Sequence, residues 1–155
     1  MTRAAAMAEV GFYHLRAMPL ERALPKLLER AVEGGRRVVV IAGSAERVDH
    51  LNHLLWTYDE ESFLPHGAAR DGNAARQPIW LTANDENPNG AAWVMLVDGA
   101  RADLTRYERC FDIFDGNDEA AVASARRRWS EAKAAGHKLT YWQQTERGWD
   151  KMAEA

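Results

Sequence analysis

One cysteine, Cys110, stands in 155 residues. A single thiol excludes an internal disulfide framework and any zinc cage built on several cysteines, and it suits a reducing cytosol. The chain also lacks an apolar run near the roughly 18 residues that a membrane span needs. Its start, MTRAAAMAEVGFYHL, has an early arginine and some alanines, but Glu9 interrupts it and no sustained apolar stretch develops, so a signal peptide is not expected. Nor is there a basic excess. The 20 Lys and Arg against 23 Asp and Glu leave a formal charge of -3, which argues against a general nucleic-acid coat while leaving room for a local basic patch. A soluble, cytoplasmic chain forming a single domain over 1-155 is the expectation, long enough to bury a core without staples.

Catalytic and cofactor motifs are missing too. Neither GxGxxG nor GxxxxGK[ST] occurs, and the turns after the first two strand-like runs, His14 to Pro19 and Gly43-Ser44, carry no glycine and one glycine respectively. A phosphate cradle needs glycines so that the backbone can approach the anion at a helix N-terminus, so no nucleotide cofactor is expected. The five histidines (His14, His50, His53, His66, His137) lack HExxH spacing. His50 and His53 are three apart on one helix without evident partner ligands, so no metal is expected. Ser44, His66 and Asp98 would have to be assembled without a GxSxG elbow, and Cys110 lies in a strand-like run where an inert thiol is the usual outcome. No catalytic residue is assigned.

What is present is alternation of strands and helices. Val10 to Leu15 reads as a first strand, and Leu20 to Val32 as a helix with Leu20, Ala23, Leu24, Leu27, Leu28 and Ala31 on one face. Pro25 within it predicts a kink or a fresh first turn. Arg37 to Ala42 is a continuous apolar run, the pattern of a buried parallel strand. Ser44 caps a second helix with an apolar face of Val48, Leu51, Leu54 and Leu55. A loop from Ala68 to Gln77 leads to strands at Ile79 to Ala83, Trp93 to Val97 and Arg109 to Phe114. A long helix from about Glu119 to Ala135 follows, capped by Asn117 or Asp118 and stopped at Gly136. Leu139 to Gln143 is extended, and a polar-aromatic segment surrounds Trp149. Helices between buried strands predict a three-layer, Rossmann-like α/β fold with a mostly parallel central sheet. The fold does not by itself bring a cofactor site.

Two segments carry the functional signal. Leu51 to Gly67, LNHLLWTYDEESFLPHG, runs from a helix through an acidic break into Phe63-Leu64-Pro65-His66-Gly67. Large apolar residues in a loop need a reason, and core anchor, active-site histidine loop and docking surface all fit. The other segment is ARRRWSEAK, Ala125 to Lys133, in which Arg126, Ser130 and Lys133 share one helical stripe and Trp129 borders it. An arginine beside an aromatic suits an apolar side chain next to a carboxylate, as at the C-terminus of a peptide. A solvated basic helix with Trp129 in the core fits as well, and spacing alone favours it.

Taken in order, FYHL at Phe12 to Leu15, Gly35-Arg36-Arg37-Val38, LLWTYDEESFLPHG at Leu54 to Gly67, Pro78-Ile79-Trp80-Leu81, ARRRWSEAKAAGH at Ala125 to His137 and a Tyr-Trp-Gln-Gln tail resemble the chi subunit family of bacterial DNA polymerase III. The pattern W-x6-F-x-PH, here Trp56, Phe63, Pro65 and His66, is its most specific part. The resemblance implies a non-catalytic adaptor with no cofactor that binds the acidic C-terminal tail of single-stranded DNA-binding protein and touches DNA only through it. On the family pattern Arg126 holds the tail's terminal carboxylate, while Trp129 and Phe114 line the apolar pocket. Val122 and Ser130 stand where some members carry lysines, so Arg127, Arg128 and Lys133 are the cations expected to meet upstream acidic residues. The resemblance also implies a second surface, at Trp56 and Phe63, for a clamp-loader subunit (psi or a substitute). It assigns no role to residues 143-155. Two other classes stay open: a small-molecule or nucleotide-dependent enzyme, and direct DNA binding through Arg126 to Arg128.

Overall fold

The computed structural model describes residues 7-59 and 64-155. In chain order these form β1 (Glu9–Leu15), α1 (Leu20–Glu33), β2 (Val38–Ile41), α2 (Ala45–Thr57), β3 (Gly67–Ala68), β4 (Ile79–Thr82), β5 (Trp93–Leu96), β6 (Arg109–Asp115), α3 (Glu119–Ala134), β7 (Lys138–Thr145) and β8 (Gly148–Glu154). The strands make one eight-stranded sheet ordered β3-β4-β2-β5-β6-β1-β7-β8. Every pairing is parallel except β7 with β8 at one edge. Helices α1 and α2 cover one face and α3 the other, so the expected three-layer α/β architecture is present.

The sequence pattern explains the layers. All four residues of β2 are buried, as an interior parallel strand covered on both faces requires. Alternation divides β1 and β6 between the layers: Tyr13, Leu15, Phe111 and Ile113 pack under α1 and α2, whereas Val10, Phe12, Cys110 and Phe114 pack under α3. Helix α1 continues through Pro25 from Leu20 to Glu33, so no fresh first turn begins there. The helix forgoes one backbone bond there, and Pro25 is itself buried among Leu24, Leu27 and Leu28. Ser44 caps α2 by accepting the Arg47 N–H at 3.1 Å.

Differences from expectation lie at the sheet's edges. The loop after His66 contributes the two-residue edge strand β3 and a single 3₁₀ turn at Ala74–Arg76. The segment around Trp149 is a full strand, β8, and β7 extends to Thr145. Residues 143-155 thus close the sheet with an antiparallel hairpin. Among the described residues no helix is long and apolar enough to cross a membrane.

One glycine fixes the geometry between β6 and α3. A Cβ at Gly116 would fall 2.0 Å from the His14 ring and 2.5 Å from the Leu15 carbonyl oxygen. The backbone is therefore the only thing that fits against His14. Gly116→Ala should cost on the order of 1–3 kcal/mol through overpacking, read as a shifted midpoint in urea with an unchanged slope.

Candidate functional site

Helix α3 starts where the Asp118 carboxylate accepts the N–H groups of Ala120 and Ala121, at 3.0 and 3.3 Å. It ends at Gly136, whose φ of +90° is unfavourable for a residue with a side chain. Small Ala125 and Ala132 let it lie close to the sheet. Between its flank and the β1-β7-β8 edge is a cavity of about 440 Å³. Phe12, Phe114, Trp129 and Tyr141 wall it, with Arg126 at the helix side and Ala153 of β8 opposite.

The rings meet mostly edge to face. Phe12 and Trp129 are 5.3 Å apart at 63°, Trp129 and Tyr141 6.1 Å at 73°, and Phe114 and Tyr141 6.2 Å at 55°. These separations suit favourable aromatic contacts, so the walls are held by their own packing. Phe114 is only 5% exposed and forms the floor. Arg126 is exposed, and among the described residues no hydrogen bond or ion pair engages its guanidinium. A preformed apolar hollow beside an uncommitted cation can take an apolar side chain that carries a carboxylate.

Of the cations expected at this site, Arg128 is withdrawn by the structure. It is 7% exposed and turned into the protein. Its Nε and Nη2 donate to the two Asp112 carboxylate oxygens at 2.6 and 3.0 Å, and its Nη1 donates to Ser124 Oγ at 2.6 Å. Two residues beyond Arg126, the helix has rotated about 200°, which carries Arg128 to the sheet side. Burial pushes the Asp112 carboxyl above its ordinary value, and the Arg128 bonds pull it back. Arg127 and Lys133 are exposed. Lys133 shares the stripe of Arg126, while Arg127 lies on the outward face; nearby, the Arg101 hydrogen bonds hold the Glu131 carboxyl below its ordinary value.

Residues missed by sequence reasoning complete the pocket. Tyr141, Phe12 and Ala153 come from three strands, and only knowledge that β1, β7 and β8 are neighbours brings them together.

At the other expected surface, Trp56 is 54% exposed at the end of α2 and lies over the His66 ring, centroids 4.6 Å apart. His66 is buried between the Leu64 and Asn52 carbonyls, at 2.6 and 3.2 Å from its two ring nitrogens. It anchors the chain after the acidic break. Phe63 lies outside the described residues.

The catalytic alternatives are not assembled. Ser44 caps α2, Asp98 accepts Arg47 Nε at 3.2 Å, and His66 is enclosed elsewhere. Burial, with Asp112 adding to it, pushes the Cys110 thiol up to about 12, far from a reactive thiolate. Among the described residues no group of three His, Cys, Asp or Glu is placed to hold a metal.

A larger crevice of about 710 Å³ opens at the carboxyl ends of β1 and β6, where α1 and α3 leave towards opposite faces. Open α/β sheets bind ligands at such a switch point. Here the three N–H groups that follow β1, those of Arg16, Ala17 and Met18, all donate to Gln144 Oε1 at 3.1, 3.1 and 2.9 Å. The turn that would cradle a phosphate is filled by the chain's own side chain.

Comparison with known proteins accords with this arrangement. The family model for the DNA polymerase III chi subunit, HolC, matches residues 7-140. A curated relative from Rickettsia prowazekii (strain Madrid E), named as a probable DNA polymerase III subunit chi, is 30% identical over 91 residues, which is 59% of this chain and 55% of the relative. The chain therefore spans about half the length of that relative. With a match over most of its length, the chain belongs to the DNA polymerase III chi subunit family.

Proposed function

We propose that this chain is a non-catalytic adaptor of the bacterial DNA polymerase III holoenzyme, which binds the C-terminal tail of single-stranded DNA-binding protein and links it to the clamp loader in the cytoplasm. The observation that carries the reading is the uncommitted Arg126 guanidinium beside the aromatic-walled cavity of Phe114 and Trp129. The tail's last side chain enters the hollow, its terminal carboxylate meets Arg126, and upstream aspartates run towards Lys133, with Arg127 further out. The occupied Gln144 turn and the family match support an adaptor over an enzyme. Trp56, exposed on the far side of the sheet, is the proposed contact for a clamp-loader subunit (psi or a substitute), with Phe63 its proposed companion.

The test is a titration of full-length single-stranded DNA-binding protein, and of the same protein lacking its tail, against this chain. Binding should require the tail. It should weaken as salt rises, because exposed charge pairs are screened. Binding that survives removal of the tail would reject the reading.

The 710 Å³ crevice favours a second reading, a nucleotide- or small-molecule-dependent enzyme. A ligand at about 100 times its dissociation constant stabilises by roughly 2.7 kcal/mol, or about 5–11 °C for a chain this long. On the adaptor reading nucleotides leave Tm unchanged, while the tail peptide raises it.

A further inference from the structure

The family match ends at residue 140, one position before the side chain that forms the wall opposite Arg126. That side chain is Tyr141, half-buried on β7 between the Phe114 and Trp129 rings. Its hydroxyl is hydrogen-bonded to His14 Nδ1. His14 is fixed in turn: its ring meets Phe114 edge to face at 5.2 Å and abuts the bare backbone of Gly116. Ala153 pairs directly across from Tyr141 on β8, and its small side chain leaves the cavity open on that side. The Arg126 charge is felt at the Tyr141 hydroxyl, where it opposes the rise that burial causes. The guanidinium and the phenol thus face one hollow from its two sides.

We infer that Tyr141 is the second donor to the terminal carboxylate of the docked peptide, opposite Arg126, and that His14 is the positioning residue that aims its hydroxyl. This rests on the docking reading above and specifies which end of the peptide the pocket recognises. A carboxylate has two oxygens and cannot donate, so a lone exposed arginine leaves part of it to water. A phenol on the opposite wall supplies a further donor, and a charged carboxylate oxygen accepts it about twice as strongly as a neutral amide oxygen would. The chemistry also sets the His14 tautomer. When Tyr141 gives its proton to the carboxylate and keeps its bond to His14, its oxygen must accept there, so the bound state has Nδ1–H donating to the phenol oxygen.

The experiment compares two synthetic peptides of the single-stranded DNA-binding protein tail, one with a free C-terminal carboxylate and one amidated there. They are titrated against the wild-type chain and the Tyr141→Phe, Arg126→Ala and His14→Leu variants, with folding checked by urea unfolding. Tyr141→Phe keeps the ring wall and removes only the hydroxyl. It should weaken the carboxylate peptide on the order of tenfold and the amidated peptide distinctly less. His14→Leu should act in the same direction and add little to Tyr141→Phe, because the two work as a unit. The ¹⁵N shifts of His14 should move to the Nδ1-protonated form when the carboxylate peptide binds. Equal weakening of both peptides, or of neither, by Tyr141→Phe overturns the inference while Arg126→Ala still reports docking. Failure of the carboxylate peptide to bind the wild-type chain overturns the docking reading itself.

Discussion

Arg128→Ala should destabilise the fold by about 3–5 kcal/mol, the usual cost of leaving one partner of a buried ion pair uncompensated. For a chain of this length that is a fall in Tm of roughly 6–20 °C. The reason is visible in the geometry: Arg128 closes two bonds on Asp112 and one on Ser124, all beneath α3. Removing it strands a carboxylate that burial already pushes above its ordinary value. Asp112 then rises further and takes up a proton more readily in the folded state than in the unfolded one. Folding stability in such a variant falls as pH rises above the ordinary carboxylate range, so the deficit is larger at about pH 8 than at about pH 5. Circular dichroism melts at the two pH values check both size and sign. Asp112→Leu combined with Arg128→Met should recover most of the loss, since an apolar pair of similar volume avoids the desolvation penalty.

Arg126→Ala should do the opposite: no more than about 0.5 kcal/mol in stability, as for an exposed side chain without a partner, but about 1.5–3 kcal/mol in tail affinity, the value of a charged hydrogen bond. That is a loss of roughly 10- to 150-fold. Arg126 and Arg128 are two residues apart in an Arg-Arg-Arg run, and sequence treats them alike. Burial separates them. Fluorescence anisotropy with a labelled tail peptide and a urea titration on each variant give two numbers per arginine. The expected pattern is a cross, with Arg126 affecting binding alone and Arg128 affecting stability. Equal tail affinities for wild type and Arg126→Ala would remove this arginine from the site.

That run shows what was legible in the chain and what was not. Strands β2, β4 and β5 announced themselves as continuous apolar runs, because a parallel strand covered on both faces needs nothing else. The cap of α2 was readable at Ser44 and that of α3 at Asn117 or Asp118, of which Asp118 makes the bonds, since capping is local chemistry. Strand β8 was not, because Trp149-Asp150-Lys151-Met152-Ala153-Glu154 has no apolar alternation and owes its conformation to pairing with β7. For the site, helical spacing brought Arg126 and Trp129 together and the family pattern added Phe114. Arg128 was misread because its partner, Asp112, is sixteen residues away on a strand. The pairing of Tyr141 with His14 is not legible, because the two are 127 positions apart and meet only through the parallel register of β1 and β7. In the Leu51 to Gly67 segment, His66 drew attention as a candidate base. Its two carbonyl neighbours make it an anchor beneath Trp56.

The most direct measurement is a ¹H–¹⁵N titration of the tail peptide into labelled chain, because six tryptophans put reporter indole N–H groups at distinct places in the fold. Trp129 stands at the α3 cavity, Trp56 on the opposite side beside His66, and Trp142 on the face of β7 away from Tyr141. The account predicts that the Trp129 indole and the backbone amides of Phe114, Val122 and Arg126 shift together along one saturable curve, while Trp56 stays still. Movement at Trp56 or around the Arg16 to Met18 turn, with Trp129 unchanged, would contradict it.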